Sequence, residues 1–140
     1  MKILVAVDGS EYTKRMLAYI AAHDEWLGGA HDYTVVHSVL AVPHRAASFV
    51  GMDTVRKFYE EDAEAVFRPI RAFFEKQGIK AKFVHTVGRA ADSIASLAKE
   101  GKFDLVILGS HGHGEVANLV LGSVATKVLA RCSVPVLIVR

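Results

Sequence analysis

Five short apolar runs alternate with longer amphipathic segments along the chain. The runs are rich in β-branched residues, as buried strands are, and they lie at residues 3–7, 33–40, 81–87, 103–108 and 134–139. The first and the last runs are almost wholly apolar, which is typical of parallel strands covered on both faces. The third run alternates apolar and polar residues, which predicts a position nearer an edge of the sheet.

The segments between the apolar runs show the periodicity of helices. Apolar residues recur at spacings of three and four, which predicts helices over residues 10–27, 54–77, from about 89 to 98, and 119–130. Ser10 and Thr54 are suited to cap the first two helices. Pro69 falls inside the second helical pattern and predicts a kink or a break there. Residues 41–53 show neither the strand period nor the helix period, and we expect them to form a long loop at the carboxyl edge of the sheet.

The order of elements is βαβαβαβαβ. This order predicts an α/β fold with a doubly wound, five-stranded parallel sheet and helices on both faces. A chain of 140 residues is the size of one domain, and we expect one domain over residues 1–140. Such sheets take the order 3-2-1-4-5 or 2-1-3-4-5, and they bind ligands beyond the carboxyl ends of the strands, where the winding reverses. In the first order, that point lies between strands one and four.

The connections after strands one and four are polar and rich in glycine. They read "DGSE" at residues 8–11 and "GSHGHGEVANLVLGS" at residues 109–123. Glycines allow backbone N–H groups to approach an anion closely, and the start of the following helix favours a phosphate. Ser110 and Ser123 add hydroxyl groups. With Asp8 across the same crevice, this pattern favours an anion-binding site over glycines that only make turns.

Other chemistries fit this stretch less well. The P-loop pattern of Gly-Lys-Ser/Thr is absent, and residues 112–117 match the dinucleotide fingerprint only formally, because they follow strand four instead of strand one. His111 and His113 are spaced to chelate a metal, but Glu115 is the only other ligand type close by in sequence. We therefore predict no metal site and no catalytic residue, and we expect the two histidines to be exposed or to support the site indirectly.

Composition narrows the class of protein. Hydrophobic residues make up 51% of the chain and charged residues 23%, with a net charge of +2, which is typical of a soluble globular protein and gives no reason to expect nucleic acid as a partner. The single cysteine, Cys132, fits a reducing compartment and a small, partly buried side chain. The first apolar run is too short for a signal peptide, and no window is long enough for a membrane span. We expect a cytoplasmic protein with no membrane partner.

The spacing of the glycines resembles that of a known family. Gly109, Gly112 and the pair Gly122-Ser123 are similar to the G-x2-G-x9-G-[S/T] pattern of ATP-binding universal stress proteins. The segments "ILVAVDGSE", "VVHSV", "VGRAADSIASLA" and "LVLGSVATKVLARCSVPVLIVR" resemble the same family. The resemblance therefore covers the whole chain.

The resemblance implies the strand order 3-2-1-4-5 and a bound adenine nucleotide: ATP in the first place, or ADP or AMP, with magnesium as a further alternative. It places the nucleotide at residues around the ends of strands one, two and four, namely Val7, Asp8, Gly9, Ser10, Ser38, Val39, Gly109, Ser110, His111, Gly112, His113, Gly122, Ser123 and Val124. This chain departs from the family at two points. Ser38 stands where valine commonly contacts the adenine, and the segment between Gly112 and Gly122 carries Glu115 but no lysine or arginine.

The last strand is expected at an edge of the sheet, where an apolar strand invites pairing with another chain. The family commonly dimerises there, which implies a homodimer through the strand between Val134 and Val139. The function implied is stress response or regulation, in which an unknown protein partner reads the nucleotide state. Two alternatives stay open: slow ATP hydrolysis with Asp8 orienting a metal or water, and a nucleotide-free interaction module.

Overall fold

The computed structural model describes residues 1–114 and 118–140, so Glu115, Val116 and Ala117 lie outside the described residues. In the described part, strands and helices follow one another as β1 (Lys2–Ala6), α1 (Glu11–Ala22), α2 (Asp24–Leu27), β2 (Asp32–Val39), α3 (His44–Val50), α4 (Met52–Lys76), β3 (Ala81–Val87), α5 (Ala90–Glu100), β4 (Leu105–Gly109), α6 (Ser123–Arg131) and β5 (Val136–Val139).

The strands form one parallel sheet in the order β3-β2-β1-β4-β5, which confirms the predicted fold class and strand order. β1 is the central strand, and its residue Val5 lies opposite Val35 of β2 and Ile107 of β4. All three side chains are fully buried. The apolar character of β1 therefore follows from its cover on both faces, while the alternating β3 lies at an edge.

Two helical layers cover the sheet. Ile3 and Val5 of β1 belong to a core cluster that includes side chains of α1 and α4, whereas Leu4 belongs to a cluster with α5 and α6. Because successive residues of a strand point to opposite faces, these clusters lie on the two sides of the sheet. The layers differ in packing: α5 and α6 pack directly on each other, whereas α1 and α4 approach each other at few points.

The first predicted helix is divided, contrary to expectation. α1 ends at Ala22, and a short α2 begins at Asp24. His23 has left the helical conformation, with φ −123° and ψ 47°. Its ring Nδ1 hydrogen-bonds to the Tyr19 carbonyl at 2.8 Å, and its backbone N–H bonds to Ile20 instead. In a continuous helix, the backbone N–H of His23 would donate to the Tyr19 carbonyl. Here the His23 side chain bonds to that carbonyl instead.

The segment 41–53 is not the loop that was expected. It contains α3, and α4 begins at Met52 instead of Thr54. None of the seven residues of α3, all of which are described, is buried. A helix that buries none of its residues leaves no apolar period in the sequence, which is why the pattern did not indicate it.

The predicted break at Pro69 and the predicted start of the last helix were wrong. α4 runs through Pro69 without a break, and Phe67, Ile70 and Phe74 on either side of the proline are buried in the core, so packing holds the helix together. α6 begins at Ser123, not at residue 119, because Gly122 is extended with φ −73° and ψ 173°. Within the described residues, no helix has both the length and the apolar character that crossing a membrane requires.

Candidate functional site

A cavity opens at the carboxyl edge of the sheet between β1 and β4, where the winding of the chain reverses. Its volume is about 80 Å³. Its walls come from the ends of β1, β2 and β4 and from the first turns of α1, α5 and α6. The lining residues are Ala6, Val7, Asp8, Thr13, Val36, His37, Ser38, Ala90, Ile94, Leu108, Gly109, His111, Gly112, Gly122, Val124 and Ala125.

The structure brings most of the sequence-predicted site residues into this wall. Those that line the cavity are Val7, Asp8, Ser38, Gly109, His111, Gly112, Gly122 and Val124. The others lie next to these residues in the chain but outside the wall, namely Gly9, Ser10, Val39, Ser110, His113 and Ser123. Sequence reasoning missed Thr13, His37 and the apolar side chains of Ala6, Val36, Ala90, Ile94, Leu108 and Ala125. Thr13 had a local signal, because it lies five residues after Asp8 at the start of a helix.

Asp8 is held by a compact network in the turn between β1 and α1. Its Oδ1 accepts hydrogen bonds from the Ser10 backbone N–H and from the Thr13 hydroxyl, both at 2.9 Å. The same Thr13 oxygen accepts from the backbone N–H groups of Asp8 at 3.1 Å and Gly9 at 3.2 Å. Gly9 has φ +79°, a conformation that favours glycine. The turn therefore fixes the carboxylate before any ligand arrives.

The pKa of Asp8 reflects opposing effects. Burial alone raises the pKa, but hydrogen bonds from Ser10 and Thr13 and the nearby His113 imidazole outweigh burial and leave the pKa below its ordinary value. Asp8 is therefore ionised at neutral pH. Its Oδ1 is occupied by the turn, while Oδ2 faces Gly112 on the opposite wall.

Two glycines of the site permit contacts that no other residue would. A Cβ atom on Gly112 would lie 2.7 Å from Oδ2 of Asp8, and one on Gly109 would lie 2.9 Å from Cβ of Tyr12. Real Cβ atoms do not approach other atoms so closely. Gly112 therefore lets the loop after β4 rest directly on the Asp8 carboxylate, and Gly109 lets the end of β4 pass α1.

The two histidines of this loop anchor it. His111 is buried, so exposure, one of the two expected alternatives, does not apply to it: its Nε2 donates to the Leu119 carbonyl at 2.8 Å, and its Nδ1 lies 2.8 Å from the Ser110 hydroxyl. His113 is exposed, and its Nε2 donates to the backbone carbonyl of Asp8 at 2.8 Å. The Gly122 N–H closes the loop on the Ser110 carbonyl at 2.7 Å. His113 thus links the two halves of the site, whereas His111 ties parts of its own loop together.

The wall next to β2 contains Ser38 at the position where the family commonly has valine. The Ser38 hydroxyl donates to the Gly88 carbonyl at 3.1 Å, so its polar hydrogen is satisfied by the protein. Val7 lines the cavity and supplies apolar wall there. Val39 is buried in the core cluster that contains α1 and α4 instead of in the cavity wall. The wall stays largely apolar in spite of Ser38.

Metal ligands do not converge in the described part of the chain. Among residues 1–114 and 118–140, no three His, Cys, Asp or Glu side chains are placed to hold a metal ion. Cys132 is half-buried at the end of α6, and its Sγ lies 3.7 Å from the Val134 carbonyl. Glu115, which the family resemblance places in the expected phosphate-binding loop, lies outside the described residues.

Comparison with known proteins decides the family. Residues 1–140 match the model of the Universal stress protein family. This chain belongs to the universal stress protein family. The universal stress protein MT1672 of Mycobacterium tuberculosis is 43% identical over 142 residues, covering 99% of this chain and 94% of that protein. Some members are longer, and the chain spans 42% of a universal stress protein from Synechocystis.

Solved structures show the same fold as this universal stress protein. The structure of MJ0577 from Methanocaldococcus jannaschii superposes with a TM-score of 0.81 at 27% identity, covering 99% of this chain and 94% of that one. A universal stress protein from Archaeoglobus fulgidus, solved in complex with dAMP, gives a TM-score of 0.66 at 22% identity over 100% of this chain and 98% of that one. At that identity, the second likeness is one of fold.

Proposed function

We propose that this universal stress protein binds an adenine nucleotide, ATP in the first place, in the cleft between β1 and β4. One observation carries the proposal: the ionised Asp8 carboxylate faces Gly112 at the mouth of an apolar cavity. Apolar walls suit the flat base, and a carboxylate at the mouth suits the hydroxyl groups of a ribose. The complex of the Archaeoglobus relative with dAMP supports the adenine class.

The size of the cavity limits how the nucleotide would lie. At about 80 Å³ it is smaller than the roughly 300 Å³ at which pockets for whole ligands begin, so only the base would be enclosed. The phosphates would then lie outside, over the backbone between Gly109 and Gly112 and towards the start of α6 at Ser123. Backbone N–H groups and a helix N-terminus favour anions at such a place.

ATP, ADP and AMP differ in the negative phosphate charge that the site has to offset. Residues 113–121 contain no lysine or arginine. Magnesium binds phosphate oxygens directly and keeps several water ligands, so a bound ion would offset the phosphate charge while Oδ2 of Asp8, the oxygen that the turn leaves available, stays with the ribose. We therefore propose ATP with magnesium as the preferred form, with ADP and AMP as the competing ligands.

At the level of the cell, we propose a cytoplasmic homodimer that acts in stress response or regulation and whose nucleotide state is read by a protein partner. β5 lies at an edge of the sheet, which supports dimerisation through the strand between Val134 and Val139. The single cysteine supports a reducing compartment.

Titration calorimetry with ATP, ADP and AMP, with and without magnesium, tests the nucleotide site. In Gly112→Ala, the new methyl group would displace the Asp8 carboxylate or the loop, and we expect nucleotide affinity to fall about tenfold or more, which corresponds to about 1.4 kcal/mol. Gly29→Ala is the matched control, because its Cβ would make only ordinary contacts, the nearest at 3.5 Å from the Gly78 carbonyl. Equal binding by the two variants would contradict the proposal.

Two competing functions, a nucleotide-free interaction module and slow hydrolysis, can be tested on the same purified protein. Ser38 and the lack of basic residues in the loop favour the nucleotide-free interaction module. That module predicts no thermal shift with ATP and no nucleotide released from freshly purified protein in mass spectrometry. The ionised Asp8 favours slow hydrolysis, which predicts magnesium-dependent turnover that disappears in Asp8→Asn.

A further inference from the structure

A second cavity lies between α1 and α4, on the opposite side of α1's first turn from the nucleotide cleft. Its volume is about 330 Å³, and we call it the α1–α4 groove, lined by Gly9, Thr13, Lys14, Leu17, Ala18, Val66, Pro69, Ile70 and Phe73. It exists because α1 and α4 cover the same face of the sheet but approach each other at few points. Among the residues that the structure describes, only Thr13 lines both cavities, and its hydroxyl is hydrogen-bonded to Asp8.

The side chains that line the groove are mostly apolar, and one of them is charged. Leu17 and Ile70 are buried core residues, and Val66 and Phe73 are partly buried beside them. Among the lining residues, all of which lie in the described part of the chain, Lys14 is the only one with a charge. Its ammonium is 3.9 Å from Glu11, and both side chains are well exposed at 74% and 64%, so this pair holds the ammonium only weakly.

We propose that the α1–α4 groove binds a small anionic amphiphile, with the apolar body between the helices and the anionic head group on Lys14. The charge is complementary, because one cation stands at an otherwise apolar groove with no acidic lining residue. The volume is within the range of pockets that hold small molecules, roughly 300–1,000 Å³. This site is separate from the nucleotide cleft, so the proposal does not depend on nucleotide binding.

The probe for this site is 1-anilinonaphthalene-8-sulfonate, which has an apolar body and one anionic group, titrated into the nucleotide-free chain and followed by fluorescence. We expect saturable binding at one site. Lys14→Glu is expected to weaken it about tenfold by reversing the charge at the head group. Lys99→Glu, an equal change of charge at an exposed position of α5, is expected to leave binding unchanged.

A second pair of variants tests the apolar part of the groove. Ala18 is exposed and lines the groove, so Ala18→Phe is expected to fill it and abolish probe binding. Ala130→Phe adds the same ring to an exposed position of α6 and is expected to bind like the wild type. Thermal unfolding of each variant checks that the fold is retained.

Competition with two ligands of equal chain length tests the head group. Octanoate should displace the probe at lower concentration than 1-octanol, and this advantage should disappear in Lys14→Glu. Equal displacement by the two would overturn the anionic preference. The proposal also fails if the probe still binds Ala18→Phe and Lys14→Glu but is lost in Phe49→Ser, which places it on the exposed α3 surface, or in Gly112→Ala, which places it in the nucleotide cleft.

Discussion

Asp8 combines contacts that are local in sequence with two that are not. Ser10 and Thr13, which fix its Oδ1, lie two and five residues further along the chain. Gly112 and His113 reach the same residue from the loop after β4, and His113 is 105 residues away. At the scale of the residue, the site is therefore a local turn against which a distant loop has closed.

The lowered pKa of Asp8 predicts a specific dependence of stability on pH. Because the folded pKa is below the ordinary value of 3.8, the ionised carboxylate stabilises the fold above pH 3.8, and this contribution is lost as the pH falls through the folded pKa. In Asp8→Asn the contribution is absent at every pH. Urea unfolding from neutral to acid pH should therefore give a flatter curve for Asp8→Asn than for the wild type.

Asp62→Asn is the control for this measurement, because Asp62 is exposed on α4. Its curve should follow that of the wild type. If Asp8→Asn and the wild type lose stability in parallel as the pH falls through 3.8, the hydrogen bonds at Asp8 do not act as described.

At the scale of the element, α4 shows tertiary packing overriding a local preference. Pro69 has no N–H to offer the carbonyl of Ala65, and a proline in a helix interior costs about 3 kcal/mol relative to alanine. The helix persists because Phe67, Ile70 and Phe74 are buried against the sheet. The proline itself is exposed at the α1–α4 groove, so its ring makes little contribution to the core.

Pro69→Ala is expected to stabilise the protein. The new N–H completes the helical hydrogen bonds, and the gain is reduced by the greater freedom of alanine in the unfolded chain, which leaves a net increase of roughly 1–2 kcal/mol in the free energy of unfolding. Urea denaturation measures it. Arg68→Ala, at the exposed neighbouring position, should change the free energy of unfolding by less than about 0.5 kcal/mol. A loss of stability in Pro69→Ala would show that the proline ring is needed.

At the scale of the whole molecule, the strand order leaves β5 with one unpaired side. The carbonyls of Pro135 and Val139 accept hydrogen bonds from Val106 and Ser110 at 2.9 and 2.8 Å. Because alternate residues of a parallel strand bond to the same neighbour, the N–H and C=O groups of Val136 and of Ile138 point away from β4. These groups are the ones available to a second copy of the chain.

Ile138→Pro is expected to convert the proposed dimer into a monomer. It removes the outward N–H at the edge while leaving the bonds between Val139 and β4 in place. Ile138→Val, which keeps the N–H and the apolar side chain, should stay dimeric. Sedimentation equilibrium measures both, and a dimeric Ile138→Pro or a monomeric wild type would refute edge pairing.

The sequence by itself determined where the strands lie, because strand and helix periods can be read from a few neighbouring residues. The crossover connections left two strand orders open, and the family resemblance indicated the one that the structure shows. It also indicated Asp8, Gly112 and Gly122 as parts of one site. It did not indicate α3, whose residues are all unburied, or the division of the first helix at His23, where a side chain replaces a backbone hydrogen bond.

Only the tertiary structure decided which residues touch. The contact of Gly112 with the Asp8 carboxylate, the burial of His111 and the gap between α1 and α4 depend on the register of the sheet and on how the helices rest on it. These contacts join segments far apart in the chain. The energies of these contacts therefore depend on the packing of the whole molecule. Turns and the hydrophobic periodicity of strands and helices depend only on neighbours along the chain.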